Sequence, residues 1–406
     1  MVFYRLAPLR KARVVARRWF KIERIYTDNN GHFQFTKHFK HKVRINVKFK
    51  NDDAVVRCLR GVRVWNTFSP LNKVIGVYSG DKSNITYNFA QYTDKRAKGN
   101  QYWVGGTVHN ALQEYKDYAP AQGIGLPPGN LSILITNWTT TGDGATPMLE
   151  KLSSDNFPSP AITYYVANTP SAIAGGVPVL QTVIGHNIDV IIGYSLDPNL
   201  GTSFFSFKSD HLKETTYHEL THAAHYAKLG SAWYTQFLNS EVTAIINNIG
   251  SGSSPYGNGG ASYSSIIALG ESWAYYMGHF MADLRYGVSY SSKANEQGID
   301  YNNNYIPGLS CHLIALENYD PYLINYPFDW IPKGIYYDMI DNRNDATAIP
   351  RYVNLTDQVS GYTNQQMFNA FSSGITTLQG YKSNLLSQNN NNQSTQVISL
   401  FSQYGY

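Results

Sequence analysis

The most restrictive feature of this 406-residue chain is a pair of histidines four positions apart, His218 and His222, with Glu219 directly after the first. Residues at this spacing lie one turn apart on the same face of a helix, so the two imidazoles can reach one ion if the segment is helical. Ser209 and Asp210 can cap the start of this segment, and Gly230 follows its last turn, as is typical of the two ends of a helix. The sequence therefore predicts a helix over residues 209–229.

The two histidines and the glutamate indicate a zinc site. Imidazole is a preferred zinc ligand, and a catalytic zinc site combines three protein ligands with an open position for water. Glu219 would lie beside His218, where it can take a proton from that water without occupying the metal. We therefore predict Zn²⁺ bound by His218 and His222, with Glu219 as general base. The alternative is two ordinary histidines on a helix surface.

A third ligand has to come from another part of the chain. The metzincin extension of the motif needs Gly at position 225 and His at 228, and the chain has His225 and Lys228 instead. Glu271 is the better candidate, because a second predicted helix over residues 264–283 would direct it inward among apolar neighbours. Two histidines and a glutamate are an established catalytic zinc set. The alternative for Glu271 is a helix carboxylate paired with Lys or Arg.

This combination of HExxH and a glutamate on a downstream helix resembles the gluzincin type of zincin metallopeptidases. The resemblance implies hydrolysis of peptide bonds, and it places an edge strand that pairs with substrate at residues 202–207. Many gluzincins carry an acidic residue one turn after the ligand glutamate, where this chain has Tyr275, so the ligands must be supported differently. The donor to the oxyanion stays open among Tyr275, His279 and Tyr336.

The N-terminal region predicts β structure. Residues 42–50 alternate strictly between polar and apolar side chains, which is typical of a half-buried strand. A turn cluster at residues 27–31 precedes a second alternating run at 32–35, and residues 12–25 are rich in apolar side chains. This order resembles the small prealbumin-like β-sandwich known as the carboxypeptidase regulatory-like domain.

The resemblance to that module implies a strand before residue 8 that the chain does not supply. We therefore expect the natural chain to begin before Met1 and to be secreted or associated with the cell envelope. If Met1 is the true start, the sequence predicts a cytoplasmic protein, because residues 1–9 contain no signal peptide.

The charge of the N-terminal region differs from that of the rest of the chain. Residues 1–60 contain 16 Lys and Arg against 4 Asp and Glu, whereas the remainder contains 17 against 24. Such a region can contact an anionic surface, or it can simply be solvated, and we expect no specific nucleic-acid partner. Cys58 and Cys311 are the two cysteines, and both a disulfide between them and two buried thiols remain possible.

The remaining pattern predicts an α+β chain in three regions. These are a prealbumin-like module at residues 1–60, a zincin-like region with a mixed sheet and the HExxH helix at 61–230, and a mainly helical region at 231–406 that supplies Glu271. A helix is expected at residues 100–118. Strands are expected at residues 131–135, 162–167, 188–194 and 202–207.

Two functions are compatible with these patterns. The first is a zinc-dependent metallopeptidase that acts on a peptide or protein substrate. The alternative is a non-catalytic surface binding protein on a peptidase-like scaffold. Glu219 favours catalysis, because a scaffold that no longer cleaves does not need a general base. The oligomeric state and the cleavage preference are left open.

Overall fold

The computed structural model describes residues 7–59, 68–92, 97–136, 144–154, 187–193, 209–248, 255–286, 330–340 and 358–406. Within these ranges the chain has the predicted α+β class, with two four-stranded sheets and eight helices. It divides into two compact units. The first unit contains both sheets, and the second contains the chain from residue 217 onward.

The strands are β1 (Arg13–Arg18), β2 (Lys21–Tyr26), β3 (Val43–Lys48), β4 (Ala54–Leu59), β5 (Asn72–Tyr78), β6 (Leu131–Thr136), β7 (Gly144–Ala145) and β8 (Val190–Gly193). The helices are α1 (Asn100–Ala121), α2 (Leu149–Ser154), α3 (Ser209–Asn248), α4 (Ser264–Tyr286), α5 (Ile335–Ile340), α6 (Asn364–Asn369), α7 (Leu378–Gln388) and α8 (Ser394–Gln403). None of these helices is long and apolar enough to cross a lipid bilayer.

The first sheet is antiparallel throughout, with strand order β2-β1-β3-β5. The predicted strand at 42–50 is confirmed as β3, whose inward side chains include Ile45 and Val47. The strand expected at residues 32–35 is wrong, because that segment has no strand partner. Its alternation has another cause: Phe33 and Phe35 pack against the apolar core of this sheet while the residues between them face solvent.

The second sheet is mixed, with strand order β4-β6-β8-β7. β4, β6 and β8 run parallel, and β7 pairs antiparallel with β8 at the edge. All six residues of β6 are buried, as is usual for a strand inside a parallel sheet. The strands predicted at 131–135 and 188–194 are confirmed as β6 and β8, whereas those at 162–167 and 202–207 lie outside the described residues.

Residue 60 is not a boundary between the sheets. β4 precedes this residue but pairs with β6 in the second sheet, and β5 follows it but pairs with β3 in the first. Backbone hydrogen bonds also connect the two sheets, from Val56 N–H to the Phe49 carbonyl and from Leu71 N–H to the Val56 carbonyl. The polypeptide therefore passes from the first sheet to the second and back.

The second unit is built around aromatic side chains. Trp273 on α4 packs against Tyr336 on α5 and against Phe371, with ring centroids 4.9 and 5.4 Å apart. Tyr381 on α7 packs against Phe371 at 4.7 Å. The buried Tyr404 hydroxyl donates a hydrogen bond to the Asp338 carboxylate at 2.7 Å. This packing fixes α4, the helix that carries Glu271.

The buried His109 on α1 makes the stability of the first unit depend on pH. Burial lowers the pKa of His109 to about 4, although its Nε2 lies 2.9 Å from the Arg10 carbonyl oxygen. The unfolded chain takes up a proton near pH 6.5 that the folded ring does not accept. The free energy of unfolding is therefore expected to fall between about pH 6.5 and 4, by up to about 3 kcal/mol. Urea titrations at several pH values should show a shallower fall for His109→Gln, and an unchanged fall would contradict this assignment.

Candidate metal centre

Helix α3 carries both histidines of the motif. The helix predicted at 209–229 is confirmed, and after a break at Gly230 the chain resumes a helical course to Asn248. Gly230 has φ 84° and ψ 168°, a conformation that is essentially restricted to glycine. The break allows the second half of α3 to leave along a new direction.

The imidazoles of His218 and His222 converge with the Glu271 carboxylate. The two Nε2 atoms are 3.1 Å apart. Glu271 Oε2 lies 3.3 Å from His218 Nε2, and its Oε1 lies 3.3 Å from His222 Nε2. One ligand atom from each residue lies within 4.8 Å of the others. The predicted site residues are therefore brought together, and the side chains of His222 and Glu271 are almost fully buried.

The chemistry of the cluster suits zinc, because two imidazole nitrogens and a carboxylate are a donor set that zinc accepts. The two 3.3 Å separations involve different oxygens of Glu271, Oε2 towards His218 and Oε1 towards His222. A set with one ligand atom from each residue is contained within 4.8 Å, whereas ligand atoms around a tetrahedral zinc ion lie about 3.3 Å apart. The residues present therefore fit zinc in the chemistry of their ligand atoms.

Helix α4 carries Glu271. The neighbouring Gly270 leaves space for the ring of Phe237, which packs against His222. The predicted helix at 264–283 is confirmed as Ser264–Tyr286. A Cβ on Gly270 would lie 2.5 Å from the Phe237 ring, so only glycine permits this approach. Phe237 in turn stacks on His222, with centroids 5.3 Å apart and planes inclined by 28°. This contact fixes the orientation of the imidazole.

Glu241 is a member of the cluster that the sequence prediction missed. It lies on α3 beyond Gly230, is buried, and shares a hydrogen bond with Glu271. Tyr256 donates a hydrogen bond to Glu271 Oε1 at 3.3 Å. One signal was present in the sequence: Glu241 lies four positions after Phe237 on what is otherwise an apolar helical face.

The two neighbouring glutamates have pKa values shifted in opposite directions. Burial and the charge of Glu271 raise the pKa of Glu241 well above its usual value. Burial also acts to raise the pKa of Glu271, but the facing imidazoles of His222 and His218 outweigh it, and the net pKa is lowered. Of the pair, Glu241 therefore holds a proton more readily and Glu271 is the more readily ionised. The hydrogen bond with Glu241 supports the Glu271 carboxylate in a chain that has Tyr275, not an acid, one turn later.

Glu219 is buried near the cluster. It is 4% exposed, and its negative charge contributes to the raised pKa of Glu241. It follows His218 directly in the chain and is not one of the three converging groups.

The three candidates for the oxyanion donor have different surroundings. Tyr275 is half-buried, and its ring packs edge-on against His218 with centroids 4.6 Å apart. Tyr336 is fully buried, is bonded to Ser272 and lies in the aromatic core. His279 is buried one turn beyond Tyr275 on α4. Tyr275 alone among them has both a contact with His218 and exposure to solvent.

His225 and Cys58, also considered in the sequence analysis, are not among the three converging groups. His225 is fully buried between Trp233 and Phe371, with centroids 5.9 and 5.1 Å away. Burial lowers its pKa well below the usual value. Cys58 is buried, and its thiol donates to Gln101 Oε1 at 3.7 Å, whereas Cys311 lies outside the described residues.

Replacing Gly230 with Ala is expected to lower the free energy of unfolding by about 1–3 kcal/mol. An added Cβ would meet no neighbouring atom, so the whole effect comes from the backbone conformation. Thermal unfolding of Gly230→Ala beside Gly374→Ala, a glycine that also has open space but no positive φ, measures it. Equal stability of the two variants would contradict the strained break.

Comparisons of the chain with protein-family models, with curated protein sequences and with solved structures found no match. The interpretation of the site therefore rests on its own geometry.

Proposed function

We propose that this chain is a zinc-dependent metallopeptidase whose metal is held by His218, His222 and Glu271. The convergence of two imidazole nitrogens and one carboxylate, with one ligand atom from each residue within 4.8 Å of the others, carries the proposal. Glu219 directly after the first ligand adds the general base. The resemblance of this motif and its downstream glutamate to gluzincins supports peptide bonds as the substrate class and a zincin-like catalytic fold.

The chemistry divides between the metal and the side chains around it. His218, His222 and Glu271 would hold zinc, which would supply Lewis acidity for a water molecule and the substrate carbonyl. Glu219 accepts the proton of the attacking water and later passes it to the leaving amine. Glu241 and Tyr256 hold Glu271 in place by hydrogen bonds, as supporting groups around metal ligands do.

We assign the oxyanion donor to Tyr275, because its ring contacts His218 while part of it remains exposed. Replacing Tyr275 with Phe removes only the hydroxyl and keeps the ring contact. The expected result is a fall in kcat of about 10²- to 10³-fold at unchanged zinc content. Tyr336→Phe, a buried hydroxyl bonded to Ser272, is the control and should keep its kcat. A larger loss in Tyr336→Phe than in Tyr275→Phe would reverse the assignment.

The proposal is tested by removing the metal and restoring it. The full chain is assayed on casein and on a peptide library before chelation, after chelation, and after addition of one equivalent of zinc. We expect cleavage to disappear with the metal and to return with zinc. Stoichiometric zinc binding without any cleavage would support the non-catalytic binding protein instead.

A further inference from the structure

The hairpin between β1 and β2 ends in two aromatic side chains that face solvent. Arg18 pairs with Lys21, so the loop consists of Trp19 and Phe20 alone. Trp19 is 79% exposed and Phe20 is 97% exposed. Large apolar side chains at this level of exposure contribute nothing to the core of the unit that carries them.

The backbone at this tip is unfavourable for the residue that occupies it. Trp19 has φ 49°, in the left-handed region. Two-residue hairpin loops use Gly, Asn or Asp at positions of positive φ, and a bulky side chain there is a clear outlier. The hairpin itself would therefore be more stable with glycine at position 19. An outlier of this kind points to a role for the side chain outside the fold.

Cationic side chains surround the aromatic tip. β3 begins at the same end of the sheet, because Arg17 pairs with Arg44. The loop before β3 lies against the hairpin, since Lys21 Nζ bonds to the His38 carbonyl and lies 5.3 Å from the centre of the Phe39 ring. The cations gathered at this end are Arg17, Arg18, Lys21, Lys37, Lys40 and Lys42.

No carboxylate balances this group of cations within its own segments. Residues 17–22 and 37–44 contain neither Asp nor Glu. The nearest acid in sequence, Glu23, is buried and accepts hydrogen bonds from Thr36 and from the Lys37 backbone. Within the described part of the chain, no salt bridge engages the six cations. Lys21 and Lys37 donate to the backbone carbonyls of His38 and Ile22, and Lys37 also contributes to the lowered pKa of Glu23. The cluster as a whole therefore keeps a positive excess.

We propose that this end of the first sheet docks on an anionic lipid bilayer, with Trp19 and Phe20 entering the interfacial layer and the cations contacting lipid phosphates. Strand residues advance about 3.4 Å each, so Arg17 and Lys21 lie within about 7 Å of the tip. That distance matches an aromatic tip in the headgroup boundary with cations at phosphate level. A dissolved polyanion could bind the cations, but it would not provide an apolar environment for the Phe20 side chain.

The proposal is tested by flotation of the full chain with lipid vesicles. The vesicles contain phosphatidylcholine alone or phosphatidylcholine mixed with phosphatidylserine. We expect binding to the mixed vesicles only, reduced about five-fold for each of Lys40→Ala and Lys42→Ala. The double variant Trp19→Gly, Phe20→Ser should lose about ten-fold or more in binding. Ile246→Ser with Ile398→Ser removes two half-exposed apolar side chains from the second unit, and this control should bind as the unmodified chain does.

A stability measurement separates docking from folding. Trp19→Gly alone relieves the backbone strain, so its thermal midpoint should be equal to or above that of the unmodified chain while its vesicle binding falls. Equal binding of the aromatic variant and the unmodified chain would overturn the proposal. So would heparin or oligonucleotide binding that depends on Lys40 and Lys42 but not on Trp19 and Phe20, if vesicles are not bound, since that result indicates a polyanion site.

Discussion

Replacing Glu219 with Gln is expected to lower the rate of peptide hydrolysis by about 10²- to 10⁴-fold without loss of zinc. The amide has the shape of the carboxylate but cannot accept the proton of the attacking water. Glu219 is not one of the three converging ligands, so the metal site should stay intact. The measurement combines metal analysis of the purified protein with initial rates on a peptide substrate.

Glu241 provides a matched control for this substitution. It is also buried in the cluster, but burial and the charge of Glu271 raise its pKa well above the usual value. An amide at this position offers a donor to Glu271, so Glu241→Gln should keep its zinc and change the rate only a few-fold, far less than the loss expected when a general base is removed. Comparable rates for the two variants would contradict the role of Glu219. A Glu219→Gln protein that loses its zinc would contradict its placement outside the metal ligands.

Replacing Glu271 with Gln is expected to weaken zinc binding by more than about 100-fold. That is more than the loss usually caused by replacing a residue that only supports a metal ligand. The substitution removes the single negative charge among the three ligands and replaces one carboxylate oxygen with an amide nitrogen. Activity should fall with occupancy and be restored in part at high zinc concentration. Competition with a chromophoric chelator gives the affinity.

The same substitution has a distinct effect on stability that separates ligand loss from unfolding. Glu271 is 3% exposed, and although burial acts to raise its pKa, the two imidazoles that it faces lower the pKa well below the usual value. Its ionised form therefore stabilises the folded apo protein above the ordinary pKa of glutamate, and this contribution is lost as the pH falls through the lowered pKa. The apo proteins should differ most at neutral pH and converge in acid. Thermal unfolding of both apo proteins across this pH range checks the direction. Equal zinc affinity of Glu271→Gln and the unmodified chain would exclude Glu271 as a ligand.

Local sequence patterns were sufficient to find the three converging side chains. His218 and His222 could be paired from helical periodicity alone. Glu271 lies in an apolar helical run, so its side chain was expected to face the interior. Glu241 was missed because Gly230 looks like the end of a helix. A glycine after the last turn usually stops a helix, and here one non-helical residue redirects it instead.

The pairing of the strands was less accessible to sequence reasoning. β3 was recognisable from its alternation, but no local pattern shows that β5 returns to β3 after β4 has joined β6. Strand pairing depends on contacts between residues far apart in the chain, which periodicity does not encode. The polar tract at 388–393 connects α7 and α8 and is mostly exposed, and Gln393 hydrogen-bonds with the Ser360 backbone, a contact between distant segments that local composition does not indicate.

Zinc K-edge X-ray absorption of the full chain, loaded with one equivalent of zinc, tests the proposed coordination most directly. We expect one ion per chain with two imidazole nitrogens and carboxylate oxygen at about 2.0–2.2 Å. The carboxylate contribution should change in Glu271→Gln, and an imidazole should be lost in His222→Ala. A spectrum that both substitutions leave unaltered would mean that zinc binds elsewhere, and the proposed catalytic centre would be wrong.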